Sequence, residues 1–346
     1  MEAALARQAR LAKPPHSLGK LEDLSVKLAG MTGRLYNPVD RRRLLVFAAD
    51  NGVVEEGVSG CPKSVTLRQT VNLARGLTGA AVLAKHFGAE LDVMDVGIDA
   101  DFTEPGVRDL KIARGTRNFA KEPAMTHDQA LQAIETGIEA AIRAHGDGIQ
   151  IIGVGEMGIG NTTTSSAVLS CLLGLPAART VSRGAGINDE AFARKIAVID
   201  AALARWRPDA SDPVDALSKV GGFDIAAMCG AFIGAACCRM PAVIDGFISA
   251  VAALCAHRLN PRCAAYMIPS HASVERGYGL AMAAMELEPM LLLDMRLGEG
   301  SGCPIAFGLA AASQAILRDM ATFDEAGIDD GYLTGIRGNR VFMGEA

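Results

Sequence analysis

The chain has 346 residues, half of them hydrophobic, and 21% charged residues that sum to a formal charge of -5. That length is ample for a large buried core or two domains. An acidic balance with only 5% aromatic residues argues against tracking a nucleic-acid backbone, which calls for basic excess and aromatic platforms. The longest apolar stretch, Ile225 to Cys238, is bounded by Asp224 and Arg239. It falls short of the roughly 20 residues a membrane span requires, so it reads as a buried helix and no membrane partner is expected.

The opening Met1-Glu2-Ala3-Ala4 lacks the basic-then-apolar order of an export signal, and a cytoplasmic location is expected. Eight cysteines without a C-x-x-C pair suit reduced thiols in such a compartment. Residues 1 to 36 read as helical. Short apolar runs then alternate with helical patterns: Leu44 to Ala49, Leu91 to Val96, Ile149 to Val154, Ala242 to Ile244, Ala265 to Ile268 and Met290 to Leu293. Each ends in Gly, Asp, Ser or Pro. This is the signature of an α/β fold with a mostly parallel, Rossmann-like sheet flanked by helices. His127 to His145, opened by Thr126, and Asp189 to Trp206 are the clearest helices. Residues 99 to 125 read as a long irregular connection. Helical segments at both ends (1–36 and 304–328) predict a small helical domain beside a large one (37–303), with 329–346 as a C-terminal extension.

In open α/β sheets ligands bind beyond the carboxyl ends of strands. The glycine-rich Gly153 to Gly160 followed by Asn161, Thr162, Thr163 and Thr164 is suited to gather backbone N–H groups around an anion at a helix start. It has neither the G-K-[ST] of a P-loop nor a dinucleotide fingerprint, so a nicotinamide-dinucleotide oxidoreductase is a weak reading. Ser182-Arg183-Gly184-Ala185-Gly186 precedes a helix bearing Arg194 and Lys195, cations able to neutralise a phosphate. Gly298-Glu299-Gly300-Ser301-Gly302 sets one acid among glycines at a predicted strand end. Little bulk would block a ligand there, and a carboxylate in a dry pocket is suited to general-base work. Asp50, Asn51, Asp224, Asp245, Ser270 and His271 supply further strand-end polar groups. No H-x-H or H-x-x-x-H spacing occurs among the six histidines, and no metal site is expected.

These segments resemble, in order and over some 310 residues, the nicotinate mononucleotide:dimethylbenzimidazole phosphoribosyltransferase family. The resemblance runs from Pro14-Pro15-His16-Ser17-Leu18-Gly19-Lys20-Leu21-Glu22 through Ala49 to Val53, Glu122 to Thr126 and Gly158 to Thr163. It continues through Gly221 to Ala226, Asp245-Gly246-Phe247 and Met295 to Gly302. It implies transfer of phosphoribose from nicotinate mononucleotide to a cobamide lower-ligand base, with inversion and without a cofactor. It further implies Glu299 as the base and Glu156 near the ribose. Gly158, Gly160, Asn161, Thr162, Thr163, Gly184, Gly186 and Lys195 would hold the phosphate. The acceptor would lie near Ser59, Ser64, Gln69 and Leu297, in a homodimer whose partners complete each site. The family commonly has His where Asn51 stands and Tyr or Phe where Cys61 stands. Those departures keep open a second reading, a nucleotide-binding subunit that needs a paralogous partner and acts on phenolic or purine bases.

Overall fold

Five apolar segments extend because their β-branched and aliphatic side chains are buried on both faces of a sheet. The computed structural model describes residues 1–184 and 186–336, so positions 337–346 of the expected extension lie outside the described residues. Among the described residues, no helix is long and apolar enough to cross a membrane.

The chain divides into two compact units, Arg41–Ile305 and Met1–Asp40 with the chain from Ala306 onward. The latter begins with helices α1 (Glu2–Arg10) and α2 (Lys20–Thr32). Ala4, Val26, Ala29 and Leu317 form its apolar centre, and the buried ion pair between Lys13 and Glu22 (2.7 Å) closes the turn between the two helices.

The larger unit carries strands β1 (Arg42–Ala49), β2 (Ala89–Gly97), β3 (Val107–Asp109), β4 (Ile151–Met157), β5 (Ala242–Ile244) and β6 (Met267–Pro269). All pair in parallel in the order β3-β2-β1-β4-β5-β6. The order reverses between β1 and β4, so the crevice beyond their carboxyl ends is the topological switch point where such sheets bind ligands. Between β1 and β2 lie α3 (Val65–Ala74) and α4 (Gly79–His86); α5 (His127–Gly146) leads into β4. After β4 come α6 (Asn161–Leu173), α7 (Ala177–Thr180), α8 (Asp189–Trp206), α9 (Pro213–Val220) and α10 (Phe223–Cys237). Helix α11 (Phe247–Leu259) separates β5 from β6, and α12 (Arg276–Met285) follows, whereas most of α13 (Cys303–Asp319) and all of α14 (Phe323–Ala326) belong to the smaller unit.

The expected α/β architecture is observed, and α5 opens with a full capping box between Thr126 and Gln129. Three details differ from the sequence reading. The connection 99–125 contains β3, whose three residues pair with Val93, Met94 and Asp95 but are too few to show a periodic pattern. Strand β4 runs on through Gly155 and Glu156 to Met157, so the first two glycines of the turn motif belong to the strand. Met290 to Leu293 is not a strand: only Leu291 makes an isolated bridge, to His271, and Leu292 is 83% exposed. The run's backbone bonds to Pro269, Ser270 and Ala272 involve only Met290 and Leu291, so pairing stops before the run becomes sheet.

Helix α10 is buried on nearly every side, and its glycines let it meet α5 backbone to backbone. A methyl group on Gly137 would collide with the Ala227 carbonyl oxygen, and one on Gly230 with that of Ile134. Gly137→Ala is therefore expected to cost about 3 kcal/mol or more, because neither backbone can yield. Urea titration followed by circular dichroism measures this, and a loss below about 1 kcal/mol would contradict the close packing.

Candidate active site

The turn after β4 is built by glycine. Gly160 sits at φ +93° as the residue before α6, a left-handed conformation open to glycine at little cost. Gly158 has room for no side chain, since a methyl there would strike the Ala49 carbonyl oxygen, the Asp224 carboxylate and the Asn51 amide. The Asn161 and Thr163 amides turn back onto the Gly158 and Gly160 carbonyls (3.1 and 2.8 Å). Those of Gly160 and Thr162 have no acceptor among the described residues. The start of a thirteen-residue helix thus offers donors and a positive dipole end to an anion.

Lys195 enters from α8. Its ammonium donates to Thr162 Oγ1 (2.8 Å) and the Ser182 carbonyl (3.4 Å), and the residue is only 1% exposed. Burial lowers its pKa to about 8, opposed by the nearby Glu275 carboxylate. It stands behind Thr162 and does not itself line the cleft. Gly184, at φ +56°, packs its backbone against Thr162.

Across the cleft, Gly298, Glu299 and Gly300 lie consecutively in the left-handed region (φ +85°, +61° and +81°). For glutamate this costs about 1 kcal/mol or more and marks a conformation imposed by its surroundings. The imposing contacts are clear. Asp245 accepts the Gly300 amide at 3.1 Å and the Gly302 amide at 2.7 Å, and Gly300 lies flat on Gly155 of β4 where any side chain would intrude. Glu299, expected at a strand end, therefore reaches the sheet through an irregular segment laid over β4. Only 4% exposed, its carboxylate accepts the Gln69 side-chain amide at 2.8 Å and the Ala80 backbone amide at 3.3 Å. The Leu297 side chain packs against Gly79 at the start of α4.

Glu156 joins the two halves. One of its carboxylate oxygens accepts the Glu299 amide at 3.4 Å, and the other accepts the Asn161 side-chain amide. Asn161 also reaches Asp224 at 3.3 Å. Burial, reinforced by the Asp224 charge, raises the Glu156 pKa to about 8. Burial likewise raises Asp245 to about 7 and Asp224 to about 6. Among the described residues no group of three His, Cys, Asp or Glu is arranged to hold a metal ion.

Of the residues selected from sequence, Glu299, Glu156, Gly158, Gly160, Asn161, Thr162, Gly184, Ser59, Gln69, Leu297 and Asp245 all line one cleft. Others stand outside its wall. Thr163 is fully buried with its hydroxyl unpartnered. Asp50, Asn51 and Asp224 form a buried polar layer beneath the turn, Asp50 accepting the Asp99 amide. Ser270 lies behind His271, bonded to its Nδ1 at 3.0 Å. Ser64 immediately precedes α3, and Gly186 turns its carbonyl towards Gly60. Among the lining residues that sequence reasoning did not select are Phe247, Ser273, Glu275 and Arg296. The first opens α11 beside the selected Asp245. Arg296 belongs to the Met295 to Gly302 motif. Ser273 and Glu275 follow Ser270-His271 at alternate positions, the only hint that they share its edge.

A parallel sheet whose switch point joins an anion-binding turn to a buried carboxylate defines a nucleotide-using α/β enzyme. The chain matches the phosphoribosyltransferase family over residues 1–328 and belongs to it. The nicotinate-nucleotide–dimethylbenzimidazole phosphoribosyltransferase of Clostridium perfringens is 50% identical over 333 residues, 96% of this chain and 92% of that protein. The enzyme of the same name from Ruminiclostridium cellulolyticum is 50% identical over 329 residues, covering 95% of this chain and 94% of the relative. Among solved structures, CobT from Thermus thermophilus superposes with a TM-score of 0.92 at 38% identity, covering 95% of this chain and 99% of that one.

The raised acids make stability depend on pH with a definite sign. Their protons are held in the folded state and released on unfolding near pH 4, so the stability they confer is complete below that value. It is lost as pH rises through about 6, 7 and 8, where Asp224, Asp245 and Glu156 ionise. The melting temperature should accordingly decline between pH 5 and pH 9, and Glu156→Gln should flatten the upper half of that decline whatever its fixed cost. Parallel curves for the two proteins in differential scanning calorimetry would show that Glu156 does not titrate there.

Proposed function

We propose that this enzyme transfers 5-phosphoribose from nicotinate mononucleotide to the lower-ligand base of a cobamide, dimethylbenzimidazole or a close relative, and releases nicotinate. The observation that carries the reading is Glu156, which ties the Glu299 backbone to Asn161 at the head of α6. A base carboxylate and an anion turn are thereby held to one cleft.

The phosphate docks on the amides of Gly158, Gly160 and Thr162, with Gly184 closing over it. Lys195 adds charge through Thr162, while Asn161 and the buried Thr163 hold the helix start in shape. Nicotinate is a good leaving group because its ring nitrogen carries positive charge while bonded to C1′. When that bond breaks, the electron pair stays on nitrogen and the ring departs neutral. An imidazole nitrogen of the acceptor attacks C1′ from the opposite face, inverting the anomer, and Glu299 takes the proton from the other ring nitrogen. The acceptor's N–H thereby replaces the Gln69 amide on the Glu299 carboxylate, with Ser59 and Leu297 bordering the ring. Positive charge that develops at C1′ faces the acids of the wall.

Glu299→Ala is expected to leave nicotinate mononucleotide binding within about threefold of native, because Glu299 does not touch the phosphate turn. It should lower kcat by roughly 10²- to 10⁴-fold, the usual worth of a general base. Calorimetry for binding and chromatography of released nicotinate for turnover check both halves, and native turnover in the variant would refute the assignment.

The reading includes a homodimer in the cytoplasm. Leu77 and Val82 flank Gly79, against which Leu297 packs, and Leu292 and Leu293 belong to the same loop; all five are exposed. A second copy covering this apolar border would complete the acceptor pocket. Eight free cysteines, two of them adjacent at Cys237 and Cys238, support a reducing compartment. Sedimentation should find a dimer at micromolar concentration, converted to monomer with weaker acceptor binding by the double change Leu77→Asp and Leu292→Asp. A native monomer would argue against this arrangement.

A further inference from the structure

We infer that Glu275 is a nucleotide-binding residue, and that its carboxylate accepts the 3′-hydroxyl of the donor ribose. The inference rests on the phosphoribosyltransferase reading above and adds to it a residue that selects among donors. Glu275 borders the cleft just before α12. Its Oε2 atom is fully buried yet has no hydrogen-bond partner. A carboxylate oxygen taken from water and left unpaired costs more than the net gain of an ordinary hydrogen bond, so such an atom calls for a donor that arrives later. Nicotinate mononucleotide offers few. Its phosphate and ring carboxylate only accept, which leaves the two ribose hydroxyls as its donors.

Position decides between the two. The Arg276 amide donates to Ser182 Oγ at 2.8 Å, and Ser182 also receives Lys195. The head of α12 is therefore fastened to the phosphate end of the cleft. Glu156 and Glu299 hold the other end, where C1′ reacts. Along a ribose phosphate the 3′-hydroxyl neighbours the carbon that carries the phosphate arm, whereas the 2′-hydroxyl neighbours C1′. An acceptor at the phosphate end meets the 3′-hydroxyl.

The test compares nicotinate mononucleotide with its 2′-deoxy and 3′-deoxy analogues, using native enzyme and Glu275→Ala, with nicotinate release to dimethylbenzimidazole as the readout. Native enzyme should lose roughly 10- to 100-fold in kcat/KM on the 3′-deoxy donor, the range for a hydrogen bond to a charged group. Glu275→Ala, which leaves no side-chain acceptor, should lose a similar factor on the full donor, discriminate little between 3′-hydroxyl and 3′-deoxy, and keep native discrimination at the 2′ position. Its affinity for inorganic phosphate should be unchanged. A variant that retains the full 3′ preference would overturn the inference. So would tighter phosphate binding, which would make Glu275 a counter-ion of Lys195, and so would native indifference to the 3′-hydroxyl, a result independent of how the variant folds. Absence of nicotinate release by native enzyme would sink the transferase reading and this one with it, whereas release with an unaltered 3′ preference in the variant sinks this one alone.

Discussion

The site depends on one backbone contact: Gly300 lies directly on Gly155 of the central strand β4, with no side chain between them. That approach brings a loop from late in the chain onto the middle of the sheet, and Asp245 holds it there through the amides of Gly300 and Gly302. Three successive left-handed residues then aim Glu299 inward. Each element is costly in isolation. A buried carboxylate needs donors, and a glutamate at positive φ needs a frame that over-determines it. Together they offset one another, because the Asp245 carboxylate is satisfied by amides that the unusual backbone exposes.

Burial drives the electrostatics of the cleft in the same direction on both sides. Asp224, Asp245 and Glu156 are pushed towards neutrality and Lys195 towards losing its charge. A donor with an anionic tail and a cationic ring brings complementary charge to each end. On the proposed reading, the phosphate restores the need for the ammonium near Thr162 and the positive centre at C1′ meets the acidic wall. The donor would then relieve the shifts of the free enzyme, in keeping with the concentration of shifted titrations at functional sites.

The acceptor side is less enclosed. Leu297 is exposed although its neighbour Glu299 is buried, and the surrounding leucines point outward. Gln69 donates to the Glu299 carboxylate. In the proposed reaction the acceptor replaces that hydrogen bond, which favours ring N–H groups able to do so. Donor and acceptor would then meet a deep, polar half-site and a shallow, apolar one.

Much of this could be read from residue order. Apolar runs ending in Gly or Asp gave the parallel sheet, because burial on both faces demands continuous hydrophobicity, and the glycine clusters around Gly158 and Glu299 stood out because so few backbones need such freedom. Local pattern also located α5, with its Thr126 cap, and α8. Packing alone decided the rest. Three-residue β3 exists only because β2 offers it an edge, and Met290 to Leu293 is denied strand status because its pairing beyond the end of β6 stops at Leu291. Gly153 and Gly155 proved to be strand residues admitting Cys303 and Gly300 at close range, a need that arises between segments some 145 positions apart. Glu275 and Ser273 carry no local mark beyond their alternation with His271. Sequence determined which segments could bend, extend or bury; only the tertiary structure chose which acids share a cleft, since that is set by contacts no single segment contains.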